Sequence, residues 1–168
     1  PFARSPAGPG DYAICYYDDD IKPTHAHQLA LAITTFSPWQ VLFWYDRPEA
    51  YQGEPEIEFW EEVPTTWDDT RVLHGDPGNL ATIARRSGDN WFIGSITNED
   101  SRDVDIPLDF LANDFQYKAY IYRDATHAGD TRTGVEIEKR DVTAGETLPA
   151  SLAAGGGQAV RLIPAETQ

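Results

Sequence analysis

Carboxylates are the most abundant reactive side chains in this sequence, yet no two of them are placed as an acid and a base. The chain of 168 residues carries 28 Asp and Glu against 13 Lys and Arg. Acid–base hydrolysis needs one carboxyl group on each side of the bond that is cleaved, and the pKa of one of the two must be raised by burial. Because no pair in the sequence meets this description, we assign no catalytic residue.

Two short motifs have the composition of metal ligands. Asp18-Asp19-Asp20 offers hard carboxylate oxygens that suit calcium, but it lacks the spaced oxygen ligands of a calcium loop. His25 and His27 form an H-x-H pair that could chelate a metal from one face of a strand. On a helix their side chains diverge by about 200°. We therefore expect a solvated charge cluster and structural or exposed histidines, and we assign no metal ligand.

Three other features have both a functional and a structural interpretation. Cys15 is the only cysteine, so an intramolecular disulfide and a Cys-based metal site are excluded, and a buried small residue is expected. The glycines at 155–157 follow no parallel strand and open no helix, which favours a strand connection over a phosphate loop. Trp67, followed by two aspartates, could stack on a sugar ring or anchor two parts of the fold. Trp91, within a hairpin pattern, is expected in the core.

The charge balance excludes some classes of partner. The formal net charge is −15, and only three of the basic residues are lysines. Such a surface repels nucleic acid and anionic membranes, so neither is an expected partner. It is typical of a soluble acidic protein or of one adapted to high salt. No stretch approaches the roughly 18 apolar residues of a membrane span.

The sequence before Pro64 predicts alternating helices and strands. Residues 24–36 have apolar side chains at helical spacing, with Thr24 as a cap and Ser37-Pro38 as a stop. Residues 39–45 are continuously apolar and aromatic, which is typical of a strand buried on both faces. Residues 56–63 predict a second short helix. A helix followed by a buried strand fits a parallel βα architecture.

After Pro64 the apolar period changes to two. Residues 80–85, 91–96, 104–108, 117–122, 135–138, 148–152 and 159–163 each alternate or form short apolar runs between turn signals. With the strand that precedes Pro77-Gly78, these segments give roughly eight short strands, as in an antiparallel β-sandwich. The fold class we predict is mainly β.

Four motifs, in the same order along the chain, resemble the C-terminal region of glycoside hydrolase family 97. VPTTWDDT and ARRSGDNWFIG are similar to that family's V-P-T-T-W-D-E-T and A-R-R-x-G-x-x-W-x-I-G segments. PFARSPAGPGDY and AHQLALA resemble its P-F-T-R…G-P-M-D-Y and A-H-Q-L-A-L-A segments. The resemblance implies that residues 1–63 are the last βα units of a (β/α)8 catalytic barrel and that residues 64–168 are the C-terminal β-sandwich.

The resemblance also implies a function for the complete protein. Family members are α-glucosidases and α-galactosidases several times longer than this chain, so their partners are α-linked oligosaccharides and, for this segment, the rest of the barrel. Their main catalytic carboxylates and calcium-binding glutamates lie upstream of the matching segment. The resemblance thus places calcium in the complete enzyme, with no ligand in this chain, and implies a periplasmic or extracellular location. It does not distinguish glucosides from galactosides, or retention from inversion.

Three residues match the P-F-x-R…G-P-x-D-Y pattern of the family: Arg4, Asp11 and Tyr12. The resemblance implies that they line a substrate pocket, where Asp11 would bind sugar hydroxyls and Arg4 would orient carboxylates. The alternative is that the charged pair only braces the loop. Gly10 replaces the Met that is frequent in the family, which changes packing and not polar chemistry.

Two other functions remain open. One is a self-standing carbohydrate-binding or interaction module without catalysis, and the other is an enzyme of unrelated chemistry. The first 60 residues bear on this choice, because the helix at 24–36 and the strand at 39–45 need apolar cover. We expect that cover to come from the missing barrel rather than from residues 64–168.

Overall fold

The computed structural model describes residues 8–15, 21–43, 51–126 and 132–165. The predictions for Arg4 and for the aspartates at 18–20 lie outside these residues. In chain order the elements are β1 (Tyr12–Cys15), α1 (His25–Thr34), β2 (Gln40–Phe43), a 3₁₀ turn (Pro55–Ile57), α2 (Glu58–Glu62), β3 (Asp69–Asp76), β4 (Leu80–Ser87), β5 (Asn90–Thr97), β6 (Arg102–Pro107), β7 (Tyr117–Asp124), β8 (Val135–Val142), β9 (Thr147–Leu152) and β10 (Gly157–Pro164).

The strands after residue 64 form the antiparallel sandwich that the period of two predicts. Six of them make one sheet in the order β3-β4-β5-β10-β7-β8, and β6 pairs with β9 in a second, two-stranded sheet. The last strand, β10, lies between β5 and β7 and is antiparallel to both. The last strand of the chain is therefore an inner strand of the sheet.

One face of the six-stranded sheet packs against the β6–β9 pair. Alternate residues of β10, Val160 and Leu162, point into this core, where they meet Ile106 of β6 and Leu148 of β9. Trp91 is buried here as well, which confirms its predicted core position. This is the interior of the sandwich.

The opposite face of the same sheet is covered by α1, with α2 and the β1–β2 pair beside it. Leu29 and Ile33 of α1 are fully buried together with Phe59 of α2, Phe92 of β5 and Tyr122 of β7. Thr24 caps α1 as predicted, because its hydroxyl accepts a hydrogen bond from the His27 backbone N–H at 3.1 Å. The expectation that α1 takes its cover from a missing barrel is therefore wrong, since the sheet, Ile14 of β1 and Phe59 of α2 supply it.

Two glycines allow α1 to lie unusually close to the sheet. A Cβ on Gly94 of β5 would stand 2.6 Å from the carbonyl oxygen of Ala30 and 3.0 Å from Cβ of Ile33. A Cβ on Gly157 of β10 would stand 2.5 Å from Cα of His27. Such distances are shorter than van der Waals contact, so only glycine fits at both positions. Glycine at these two positions of the sandwich therefore makes the close packing of α1 possible.

The strands β1 and β2 pair with each other in parallel, with α1 as the connection between them. Ile14 of β1 is buried, but Trp39 and Val41 are 69% and 47% exposed. The described part of β2 is thus left without full cover by this chain. The interpretation of residues 39–45 as a strand buried on both faces stays a prediction for a protein that carries the other barrel strands. The division of the chain at residue 64 stays a prediction.

Candidate functional site

The residues singled out by the family pattern lie before and at the start of β1. Asp11 is exposed just ahead of the strand, and Tyr12, its first residue, packs partly buried against the apolar cluster beneath α1. Arg4 is outside the described residues. Neither Asp11 nor Tyr12 lines any of the three surface cavities found in the described parts. Their assignment to a substrate pocket stays a prediction.

The two histidines of the H-x-H pair diverge as helical geometry requires. His25 is buried against the backbone near Thr133, and His27 Nδ1 is 3.0 Å from the carbonyl oxygen of Gly156. Burial lowers the pKa of both rings, to about 4 for His25. Among the described residues no group of three or more His, Cys, Asp or Glu is arranged to hold a metal ion. Both histidines serve to attach α1.

The low pKa of His25 predicts acid destabilisation. Between pH 6.5 and about 4 the unfolded chain binds a proton that the folded chain does not, so the free energy of unfolding falls as pH falls. Lowering the pKa from 6.5 to about 4 corresponds to about 3 kcal/mol. We expect His25→Gln to flatten this part of the pH–stability curve relative to the wild type, measured by urea unfolding. A slope equal to that of the wild type would contradict the assignment.

Trp67 is partly buried in the segment between α2 and β3. Its ring packs edge-on against Phe92 at 5.5 Å, and the Arg85 guanidinium lies over it at 5.8 Å. Arg85 also lies over the exposed ring of Phe36 and donates from Nε to the carbonyl oxygen of Ile33 at 2.6 Å. These contacts favour the anchor interpretation of Trp67, and the sugar-stacking interpretation stays a prediction.

A buried carboxylate joins α1 to the glycine turn that precedes β10. Oδ1 of Asp124 accepts a hydrogen bond from the Thr24 hydroxyl at 2.5 Å. Its Oδ2 accepts from the backbone N–H groups of Ala153 and Gly157 at 2.9 and 3.0 Å. Burial raises the pKa of this carboxyl, and these hydrogen bonds oppose the rise. The glycines at 155–157 are a strand connection, as predicted, and Gly156 has no room for a Cβ beside Asp124.

Next to Asp124 lies a polar cavity of about 540 Å³ at one end of the sandwich. Its wall contains charged, hydroxyl and amide side chains from β6 to β10: Arg102, Asp103, Arg123, Asp124, Thr126, Glu136, Ser151 and Gln158. Arg123 donates to Glu138 from Nη1 at 2.9 Å, and Ser151 donates to Asp103 at 2.7 Å. This concave polar surface is the best candidate binding site among the described residues.

Sequence reasoning missed this cavity because its residues come from five strands. Arg123-Asp124 ends one strand and Gln158 begins another, 34 positions later, and neither has a motif around it. The one signal in the sequence was that Arg123 and Gln158 are polar residues at positions where the strand pattern predicts apolar ones. Such interruptions are also common at the exposed ends of strands, so the pattern alone could not identify a site.

None of the helices in the described residues is long and apolar enough to cross a membrane. Solved structures share the architecture. A β-arabinopyranosidase structure covers 83% of this chain with a TM-score of 0.67 at 22% identity, which is a likeness of fold alone.

The comparisons then identify the family. A family model described as "Glycosyl-hydrolase 97 C-terminal, oligomerisation" matches residues 66–163, so the chain belongs to glycoside hydrolase family 97 and contains its C-terminal domain. A retaining α-galactosidase of Bacteroides thetaiotaomicron is 34% identical over 96% of this chain and 26% of its own length. A probable retaining α-galactosidase of Streptomyces bingchenggensis is 31% identical over 94% of this chain and 24% of its own length.

A solved structure agrees with these relatives. The family 97 enzyme of Pseudoalteromonas sp. strain K8, in complex with acarbose, matches 85% of this chain and 23% of its own with a TM-score of 0.78 and 35% identity. The chain thus spans about a quarter of the length of the relatives it matches. The resemblance drawn from the sequence motifs is confirmed.

Proposed function

We propose that this chain is the C-terminal part of an α-glycoside hydrolase, a protein that hydrolyses the O-glycosidic bonds of α-linked oligosaccharides. The observation that carries the proposal is the similarity to retaining α-galactosidases, which extends over 94–96% of the chain. Those names support an α-galactoside substrate and a retaining mechanism. Acarbose and panose, bound by the Pseudoalteromonas enzymes, support α-linked oligosaccharides more broadly.

In this proposal the residues before Pro64 are the last two βα units of the catalytic barrel. The parallel β1–β2 pair, connected through α1, has the topology of such units. A (β/α)8 barrel closes only with eight strands. The other strands would pair with the open edges of β1 and β2 and cover Trp39 and Val41, whose exposure supports such a neighbour.

Arg4, Asp11 and Tyr12 would contribute to the substrate pocket of the complete enzyme. Asp11 is already exposed at the start of β1, where its carboxylate can accept hydrogen bonds from sugar hydroxyls. The main catalytic carboxylates and the calcium ligands of the complete enzyme would come from outside these 168 residues. The proposal therefore assigns this chain a positioning and structural role in catalysis.

We expect the 168-residue chain alone to show no α-glycosidase turnover, because its sequence offers no recognisable acid–base pair and its described residues before Pro64 contain two strands where a barrel needs eight. The measurement is release of p-nitrophenol from p-nitrophenyl α-galactoside and α-glucoside. The protein encoded by the complete reading frame is the control and should cleave at least one of the two. Turnover by the chain that disappears when one of its own carboxylates is substituted would contradict the expectation.

The alternative is a self-standing carbohydrate-binding or interaction module, and the polar cavity beside Asp124 is the observation in its favour. The genomic sequence immediately upstream of Pro1 separates the two functions. An open frame that encodes a barrel supports the hydrolase, whereas a start codon with a ribosome-binding signal at Pro1 supports the module.

A further inference from the structure

The polar cavity contains an amide with unmet hydrogen-bonding capacity. Gln158 is 1% exposed and forms part of the cavity wall, and neither its Oε1 nor its Nε2 has a partner among the described residues. Buried polar side-chain atoms in native proteins are nearly always hydrogen-bonded. An amide that offers both a donor and an acceptor in a residue of the cavity wall is therefore suited to a ligand that also carries both.

The charges around the cavity argue against an ionic ligand. Two guanidinium groups, of Arg102 and Arg123, face three carboxylates, of Asp103, Asp124 and Glu136. Arg102 is engaged with Asp100 at 3.3 Å, and Arg123 with Glu136 at 3.4 Å. An anion would meet an excess of carboxylates, and a cation would have to compete with both arginines. A neutral ligand with hydroxyl groups can instead donate to the carboxylates and accept from the guanidinium groups.

The size and the apolar part of the wall fit a sugar. A volume of about 540 Å³ lies within the roughly 300–1,000 Å³ range of small-molecule pockets. Pro149, Leu152 and Ala153 provide carbon surface against which the C–H groups of a pyranose can pack. Among the described residues the wall contains no aromatic ring, so hydrogen bonds would supply most of the specificity, and the affinity should be modest.

We propose that this cavity is a binding site for a neutral mono- or disaccharide, and that the Gln158 amide hydrogen-bonds to the hydroxyls of the bound sugar. The site is built entirely from sandwich strands and the connections between them. It therefore rests on the described fold and not on the proposed hydrolase activity.

The test is an NMR titration of the 168-residue chain with methyl α-galactoside and methyl α-glucoside. We expect saturable shifts of the Gln158 side-chain amide and the Arg123 Nε–H, with a dissociation constant of about 1–10 mM, because hydrogen bonds that replace water contribute little net free energy. Inorganic phosphate should give no saturable shifts at these groups. Shifts centred on the Trp67 indole, no saturation with either sugar, or phosphate binding at the same groups would overturn the proposal.

The decisive variant is Gln158→Leu, which replaces the amide by an apolar group of similar size. It should weaken sugar binding at least about tenfold, yet leave the resistance to urea unchanged or raised, because an unpaired buried amide is removed. Gln28→Leu is the matched control: this α1 residue is 6% exposed and its Oε1 also lacks a described partner, but it lies outside the cavity. Gln28→Leu should keep wild-type sugar affinity.

Unchanged affinity in Gln158→Leu, or equal loss in Gln28→Leu, would overturn the proposal. If Gln158→Leu does not fold, a second variant decides the matter. Ser151→Trp places a large ring at an exposed position of the wall and should block the cavity while leaving the core unchanged. Sugar binding that survives in Ser151→Trp would then count against the site.

Discussion

Replacing Gly94 with alanine is expected to lower the free energy of unfolding by about 2–3 kcal/mol, the upper part of the range for overpacking a tight interior. The added Cβ would lie 2.6 Å from the carbonyl oxygen of Ala30, and a backbone atom inside a helix cannot rotate away. The helix α1 must then move outward from β5. This also strains the hydrogen bond from Arg85 to Ile33.

Urea unfolding measures the loss, and hydrogen exchange shows where it occurs. Amides of α1 should exchange faster in Gly94→Ala, while those of β6 and β9, on the other side of the sheet, should change little. Gly145→Ala is the matched control, because a Cβ there has nothing within 4 Å. We expect it to change stability by less than about 0.5 kcal/mol. Equal stability of the two variants would show that α1 does not pack tightly on the sheet.

This result bears on the predicted division at residue 64. If Gly94→Ala releases α1 while the sandwich stays folded, the two parts are separable, as the change of period near Pro64 predicts. If the whole chain unfolds in one transition, α1 is part of the sandwich domain. The packing of the fully buried Leu29 and Ile33 against Phe92 and Tyr122 of the six-stranded sheet favours the second outcome.

Local pattern was sufficient to predict most of the elements. The period of two identifies the strands that follow Pro64, and Thr24 with Ser37-Pro38 sets the limits of α1 to within about two residues, because these signals depend only on neighbours in the chain. Trp91 was also predictable, since a large aromatic on the alternating face of a hairpin rarely stays in solvent.

Strand order and helix cover were not predictable in the same way. The sequence gives no reason why β10 should insert between β5 and β7, because that choice depends on how all the apolar faces fit together. Gly94 had the form of an ordinary member of an alternating strand, and its purpose is visible only when Ala30 lies against it. Long-range proximity is the missing information in both cases.

The candidate site shows the same limit. The family pattern directed attention to Arg4, Asp11 and Tyr12, whereas the cavity is formed by residues that share no motif. Gln158 follows a run of glycines and begins an apolar strand, and its unpaired amide is visible only in three dimensions. Asp124 stands before a polar stretch that resembles a surface loop, yet its carboxylate is buried.

Asp124 should be the most sensitive polar position in the chain. Asp124→Ala is expected to lower the free energy of unfolding by about 3–4 kcal/mol, because it leaves the backbone N–H groups of Ala153 and Gly157 and the hydroxyl of Thr24 without their acceptor. Without the carboxylate, the start of α1 is no longer joined to the turn that leads into β10. Urea unfolding at neutral pH measures the change in the free energy of unfolding.

Asp124→Asn separates hydrogen bonding from charge. Both backbone N–H groups donate to the same oxygen, Oδ2, so an asparagine oxygen in that place can accept both. Its amide nitrogen can then donate to the Thr24 oxygen, because a hydroxyl also accepts. We therefore expect a loss of only about 1 kcal/mol, the ordinary scale of one neutral hydrogen bond. Asp103→Ala, which removes an exposed carboxylate, should cost less than about 0.5 kcal/mol. If Asp124→Asn were as damaging as Asp124→Ala, the negative charge rather than the hydrogen-bond geometry would hold α1 to the sandwich.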